Sequence, residues 1–159
     1  MKRSMVLVLT ILCFAAAAQA QQEYWLKSIS GTYYVSYEGY LVIGATMESW
    51  GTVVPGAISG IVSINSDGSV TGTSSVAIVT VDEYEVQGTA TMTSDCTGVL
   101  SLKGRLKGTT QWTQQQENKF VFLRDEKEIR AMMVSVTGAT PVVLSQWKRL
   151  SPVPGIVSW

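Results

Sequence analysis

The chain has 159 residues, is 46% apolar and 15% charged, and carries twelve basic and twelve acidic side chains but no histidine. That length and balance suit one globular domain and leave no surplus positive charge for nucleic acid. Without histidine, Ser-His and Cys-His nucleophile pairs and histidine-liganded metal centres are excluded.

Lys2 and Arg3 precede a nearly unbroken apolar run from Met5 to Ala18, and Ala18-Gln19-Ala20 supplies the small residues that a signal peptidase accepts. This pattern predicts a signal peptide over residues 1–20 and export, to the periplasm or beyond. The run, about 14 residues long, falls short of the roughly 20 needed to span a bilayer. Cys13 follows Ile11 and Leu12 rather than a small residue, which argues against a lipidation site. Cleavage after Ala20 removes two basic side chains and Cys13, so the mature chain is mildly acidic and Cys96 is left without an intrachain partner. The fold must then stand on its core.

From residue 21 onward Val, Ile and Thr dominate and glycines recur, the composition of short strands joined by tight turns. Tyr84, Val86, Gly88, Ala90 and Met92 alternate with Glu85, Gln87, Thr89, Thr91 and Thr93, which predicts a half-buried strand. Leu100, Leu102, Gly104 and Leu106 alternate likewise with Ser101, Lys103, Arg105 and Lys107. Weaker period-2 patterns lie over residues 30–37, 57–65, 69–80, 118–124, 128–136 and 142–149. Asn65-Ser66-Asp67-Gly68, Ser94-Asp95-Cys96-Thr97-Gly98 and Arg124-Asp125-Glu126-Lys127 read as hairpin turns, with Asp accepting backbone hydrogen bonds and Gly98 taking positive φ.

Consecutive hairpins make an antiparallel meander, and closure removes its exposed edges. The predicted fold is all-β: an up-and-down barrel of eight or nine strands in a single domain over residues 21–150. Gly44 to Pro55 lacks a strand pattern and reads as a long connection at a mouth or an irregular edge. Residues 151–159 hold Pro152 and Pro154, which cannot donate to a ladder, and read as a tail outside the barrel.

From Ser30 to Leu150 several motifs follow in order: Ser30-Gly31-Thr32-Tyr33, Ile58-Ser59-Gly60, Asp67-Gly68, Val70-Thr71-Gly72-Thr73, Gly88-Thr89-Ala90, Asp95-Cys96-Thr97-Gly98 and Lys127-Glu128-Ile129-Arg130. In these the chain resembles a family of small, uncharacterised exported bacterial proteins frequent in acidobacterial genomes. The resemblance implies a barrel similar in shape to lipocalins and other calycins, and it carries over no catalytic residue. The chain departs from the family pattern in a longer segment from Val42 to Val54, a glutamine-rich stretch from Gln111 to Gln116, and a Pro-rich tail ending in Trp159.

Few residues suggest chemistry. Cys96 reads first as a small side chain filling a turn, since no Lys or Arg adjoins it in sequence to activate a thiol. The carboxylates fall mostly in turns and on polar faces, and no spacing predicts a facing pair. Asp82, Glu83 and Glu85 form an acidic cluster that reads as a solvated strand end, because the dense oxygen-ligand loop that calcium prefers is absent. No catalytic residue, metal ligand or cofactor is predicted.

The aromatic first strand is more informative. Tyr33, Val35 and Tyr37 share one face, and they either pack a core or line a cavity. Glycines 60, 72, 88 and 104 near strand centres either permit sharp coiling or leave room for a ligand. The predicted ligand-facing set is Tyr33, Tyr37, Val86, Met92, Leu100 and Leu102. The leading functional expectation is an exported, non-enzymatic barrel whose partner is a small apolar ligand, with no nucleic acid partner and no stable membrane span after signal removal. The alternatives are an envelope interaction protein with a packed interior, a histidine-free isomerase or cyclase resembling allene oxide cyclase, and a small outer-membrane barrel.

Overall fold

The computed structural model describes residues 21, 25–44, 51–78 and 80–150. The expected signal peptide and its cleavage site, the tail from Ser151, and Trp50 lie outside the described residues. A helical segment over residues 25–29 leads into eight strands: β1 (Gly31–Ile43), β2 (Thr52–Ile64), β3 (Ser69–Ala77), β4 (Val81–Met92), β5 (Thr97–Leu106), β6 (Gln114–Leu123), β7 (Glu128–Val136) and β8 (Ala139–Arg149). Each pairs antiparallel with the next, and β1 pairs with β8 from Tyr33–Arg149 to Ile43–Ala139, so the sheet closes into an up-and-down barrel without edges.

Odd strands run from a closed end to an open end. The three hairpin turns read from the sequence all lie at the closed end. Two share one hydrogen-bond plan. In the first, Gly68 N–H donates to the Asn65 carbonyl, Asn65 N–H to the Ser69 carbonyl, and Ser69 N–H to Asp67 Oδ1. In the second, Cys96 N–H donates to the Thr93 carbonyl, Thr93 N–H to the Thr97 carbonyl, and Thr97 N–H to Asp95 Oδ1. Hydrogen bonds from Thr93 and Thr97 hold the Asp95 carboxyl down to about 2. The left-handed position is Gly68 (φ 84°) in one turn and Cys96 (φ 67°) in the other. Gly98, expected to carry positive φ, instead opens the ladder of β5, where a Cβ would lie 2.1 Å from the Thr91 carbonyl oxygen.

The helical segment plugs this end. Leu26 and Ile29 are buried with Tyr33, Ile64, Val70, Phe122, Ile129 and Trp147 in one apolar cluster. Arg149, at the end of β8, ties the plug to the wall: its Nη2 donates to the Ser28 carbonyl at 2.7 Å and to the Tyr33 hydroxyl at 2.8 Å. That hydroxyl in turn donates to the Ile29 carbonyl at 2.6 Å. A cation thus meets a carbonyl left over at the end of the helical segment, which favours it electrostatically.

Two segments correct the sequence reading. The stretch read as a long connection, Gly44 to Pro55, is strand over its last four residues, since β2 starts at Thr52, and β1 runs to Ile43, past the residue 37 at which its pattern ends in the sequence. Pro55 is tolerated because β2 pairs with β3 only from Ala57 onward, so the residue has a ladder on one side alone. The glutamine-rich stretch also enters the sheet, because β6 begins at Gln114 rather than near residue 118. The register shifts in β6–β7 at Glu117/Asn118 and in β7–β8 between Met132 and Val136. Pro141 falls beside the second of these, where β7 offers it no regular partner.

Candidate functional site

Inward positions alternate along every strand, but their height in the barrel decides what they touch. Near the closed end the interior is filled, whereas the open half holds a cavity of about 240 Å³. Its wall is apolar: Val35, Leu41, Ile58, Val62, Val86, Leu102, Met133, Val136 and Val143, with Trp147 also lining it. Polar groups are few. Tyr37 and Gln116 face it, joined by a hydrogen bond from Gln116 Nε2 to the Tyr37 hydroxyl at 3.4 Å, Ser74, Gln114 and Thr137 lie nearer the open end, and Lys103 is the one charged residue among the described residues that line it. No Asp or Glu is among the described residues that line it.

Of the six residues predicted to face a ligand, all point into the barrel, and the structure divides them equally. Tyr37, Val86 and Leu102 line the cavity; Tyr33, Met92 and Leu100 are packed in the closed half and do not. Tyr33 and Tyr37 share a face, but at about 3.3 Å per residue four residues place them roughly 13 Å apart along the strand. One ring is committed to the plug and the other to the cavity. Both stack edge-on against Trp147, with ring centroids 6.3 Å away in each case. Trp147 is fully buried and separates the two regions.

Burial pushes the Tyr37 hydroxyl far above its ordinary ionisation range, with Ser145, Trp147 and Gln116 opposing weakly. It is therefore a neutral donor and acceptor rather than a general base. Ser145, buried across from Tyr37, accepts from Trp147 Nε1 at 3.2 Å and donates to the Ala131 carbonyl at 3.4 Å.

The central glycines also divide. A Cβ at Gly60, Gly72 or Gly88 would lie 2.1–2.4 Å from a carbonyl oxygen of the neighbouring strand, so these positions serve the close approach of the strands, Gly60 while also lining the cavity. Gly104 meets nothing closer than 3.5 Å and lines the cavity, so there the missing side chain leaves free space.

Sequence reasoning missed Gln116, Leu41, Ile58, Met133, Val136 and Trp147 as lining residues. Stepping back by twos from Phe122 and Phe120 would have reached Asn118, Gln116 and Gln114. The acidic cluster is not simply solvated: Glu83 pairs with Lys107 at 2.6 Å, and Arg105 Nε donates to Glu85 at 2.7 Å, across the outer face of β4–β5. Glu128 is buried beside Arg130. Arg105 and Lys103 both lie over the Trp112 ring, at 4.9 and 5.4 Å from its centroid. Cys96 is half-buried against the core at the closed end, away from the cavity. Among the described residues no cluster of Cys, Asp or Glu is arranged to hold a metal ion, and no helix is long and apolar enough to cross a membrane.

A broader depression of about 930 Å³ runs over the outside of β4–β8 and β1, formed by outward strand side chains such as Lys119, Met132 and Leu144. No protein-family model, no curated protein and no solved structure matches the chain.

Proposed function

We propose that the protein binds a small, largely apolar molecule in the open half of its barrel and acts as a carrier or scavenger rather than as an enzyme. One observation carries this reading: the interior is filled at one end and empty at the other, with an apolar wall around the empty part. Large apolar side chains ordinarily pack to leave few voids bigger than a water molecule. A cavity of 240 Å³ therefore costs stability, which a bound ligand restores. The volume lies just below the roughly 300–1,000 Å³ of sites for drug-sized ligands, so the ligand is small. With no carboxylate in the lining, Tyr37 held neutral and the ammonium of Lys103 lying over the Trp112 ring, the described lining holds no pair of groups poised for acid-base catalysis. A packed interaction protein and a membrane barrel fit less well, the first because of the cavity and the second because β4–β5 turn charged pairs outward.

Titration with a neutral environment-sensitive dye such as N-phenyl-1-naphthylamine tests the reading. Stoichiometric binding to the folded protein is expected, with energy transfer from tryptophan that is reduced in Trp147→Phe. Dye enhancement only on unfolding overturns the proposal.

A further inference from the structure

Asn118 stands out from the rest of the interior. It is fully buried on the inward face of β6, one inward position below Gln116, and its cross-strand neighbours are Leu100 and Met133. Gln116 and Met133 line the cavity and Leu100 belongs to the packed half, so Asn118 lies directly beneath the cavity floor, one layer below the residues that line it. Neither its amide nitrogen nor its carbonyl oxygen has a hydrogen-bond partner among the described residues. Nearby polar groups are engaged with one another: Gln116 with Tyr37, and Trp147 with Ser145. An amide left unpaired in apolar surroundings is costly, and an apolar side chain of the same shape would avoid that cost. The backbone at this point is also irregular, since the register of β6 against β7 shifts between Glu117 and Asn118.

Resting on the carrier reading, we infer that Asn118 recognises the head group of the ligand, and that this head is an uncharged amide-like group lying deepest in the barrel with the apolar body toward the open end. A carboxamide offers one carbonyl acceptor and two N–H donors. The partner that satisfies both sides at once is a group with the same pair of functions, held by two parallel hydrogen bonds. A carboxylate fits poorly at that depth, because it needs a cation, and Lys103, the one cationic residue among the described residues of the lining, stands three residues along β5 from Leu100, the partner of Asn118. The ammonium of Lys103 lies over the Trp112 ring, and Arg149 is held by Tyr33 and the Ser28 carbonyl at the plug. A bare hydrocarbon fits the wall and leaves the amide unpaired.

The test compares benzamide, ethylbenzene and benzoate, which are of similar size, by calorimetric titration of the wild-type chain, Asn118→Leu and Leu102→Phe. Two hydrogen bonds to a desolvated amide predict benzamide binding about tenfold tighter than ethylbenzene to the wild type. Benzoate should bind no tighter than ethylbenzene. In Asn118→Leu the preference for benzamide should fall to within about twofold while ethylbenzene binding is kept, and the thermal midpoint should not drop, which shows the variant to be folded. Equal binding of benzamide and ethylbenzene by the wild type, or a preference that survives in Asn118→Leu, overturns the inference and leaves the carrier reading standing. Binding of none of the three, or ethylbenzene binding that Leu102→Phe does not weaken, overturns the carrier reading and the inference with it.

Discussion

At the closed end of the barrel three short turns and a helical plug bring enough side chains inward to fill the interior, and Arg149 fastens plug to wall. At the open end the same eight strands carry smaller or polar inward residues, Ser74, Gly104, Gln114 and Gln116 among them, and leave a cavity. The two regions share strands, alternation and ladder. They differ in what each inward position holds, so packing rather than topology separates the stable half from the candidate site.

Leu100 and Leu102 give the sharpest pair, being identical side chains two residues apart on the inward face of β5, one packed and one on the cavity wall. Leu100→Ala should cost about 4 kcal/mol, near the upper part of the range for fully packed leucines. Leu102→Ala should cost about 2 kcal/mol, because one side of that residue already faces free space and fewer contacts are lost. Denaturant midpoints at constant m-value measure both, and equal costs would mean that the two halves do not differ in packing.

Gly88 and Gly104 make the next contrast. At Gly88 a Cβ would sit 2.1 Å from the Ser101 carbonyl oxygen and 2.9 Å from the Leu102 Cα, both backbone atoms that cannot swing aside. Gly88→Ala should destabilise by about 2 kcal/mol or more. Gly104→Ala meets no close atom and should be neutral or stabilising by about 0.5 kcal/mol through the unfolded chain. Thermal melts of the two variants report the difference directly.

A smaller effect distinguishes the two matching turns of the closed end. Cys96 occupies a left-handed position that Gly68 fills in its counterpart, and a side chain there costs roughly 1–2 kcal/mol. Cys96→Gly relieves that strain but gives up some packing and some chain entropy, so a net gain of about 0.5 kcal/mol is expected. A loss of stability would show that the thiol packs better than its half-buried position suggests.

The same division explains what was legible in the sequence. All three turn motifs recognised from Asp, Asn and Gly lie at the closed end, where turns are short and their chemistry is local. The open-end connections carry no such signature, which is why the period-2 patterns over 30–37, 57–65 and 118–124 stop short of the open ends of β1, β2 and β6. Clean alternation gave β4 and β5 because their inward residues are apolar, but β6 begins with Gln114 and Gln116 facing inward, and a polar inward residue erases the pattern. The candidate site was legible only by face. Tyr33 and Tyr37 read alike, and so do Leu100 and Leu102, because height in a barrel is set by cross-strand register and by which end is plugged, neither of which a single strand encodes.

Methyl-resolved NMR during titration with benzamide or ethylbenzene tests the division most directly, because both regions report in one spectrum. The account predicts saturable shifts for the methyl groups of Val86, Leu102, Val136 and Val143, with those of Leu26, Ile29, Val70 and Ile129 unmoved. Shifts spread evenly over both sets, or confined to outward methyls such as those of Val142 and Leu144, would contradict it.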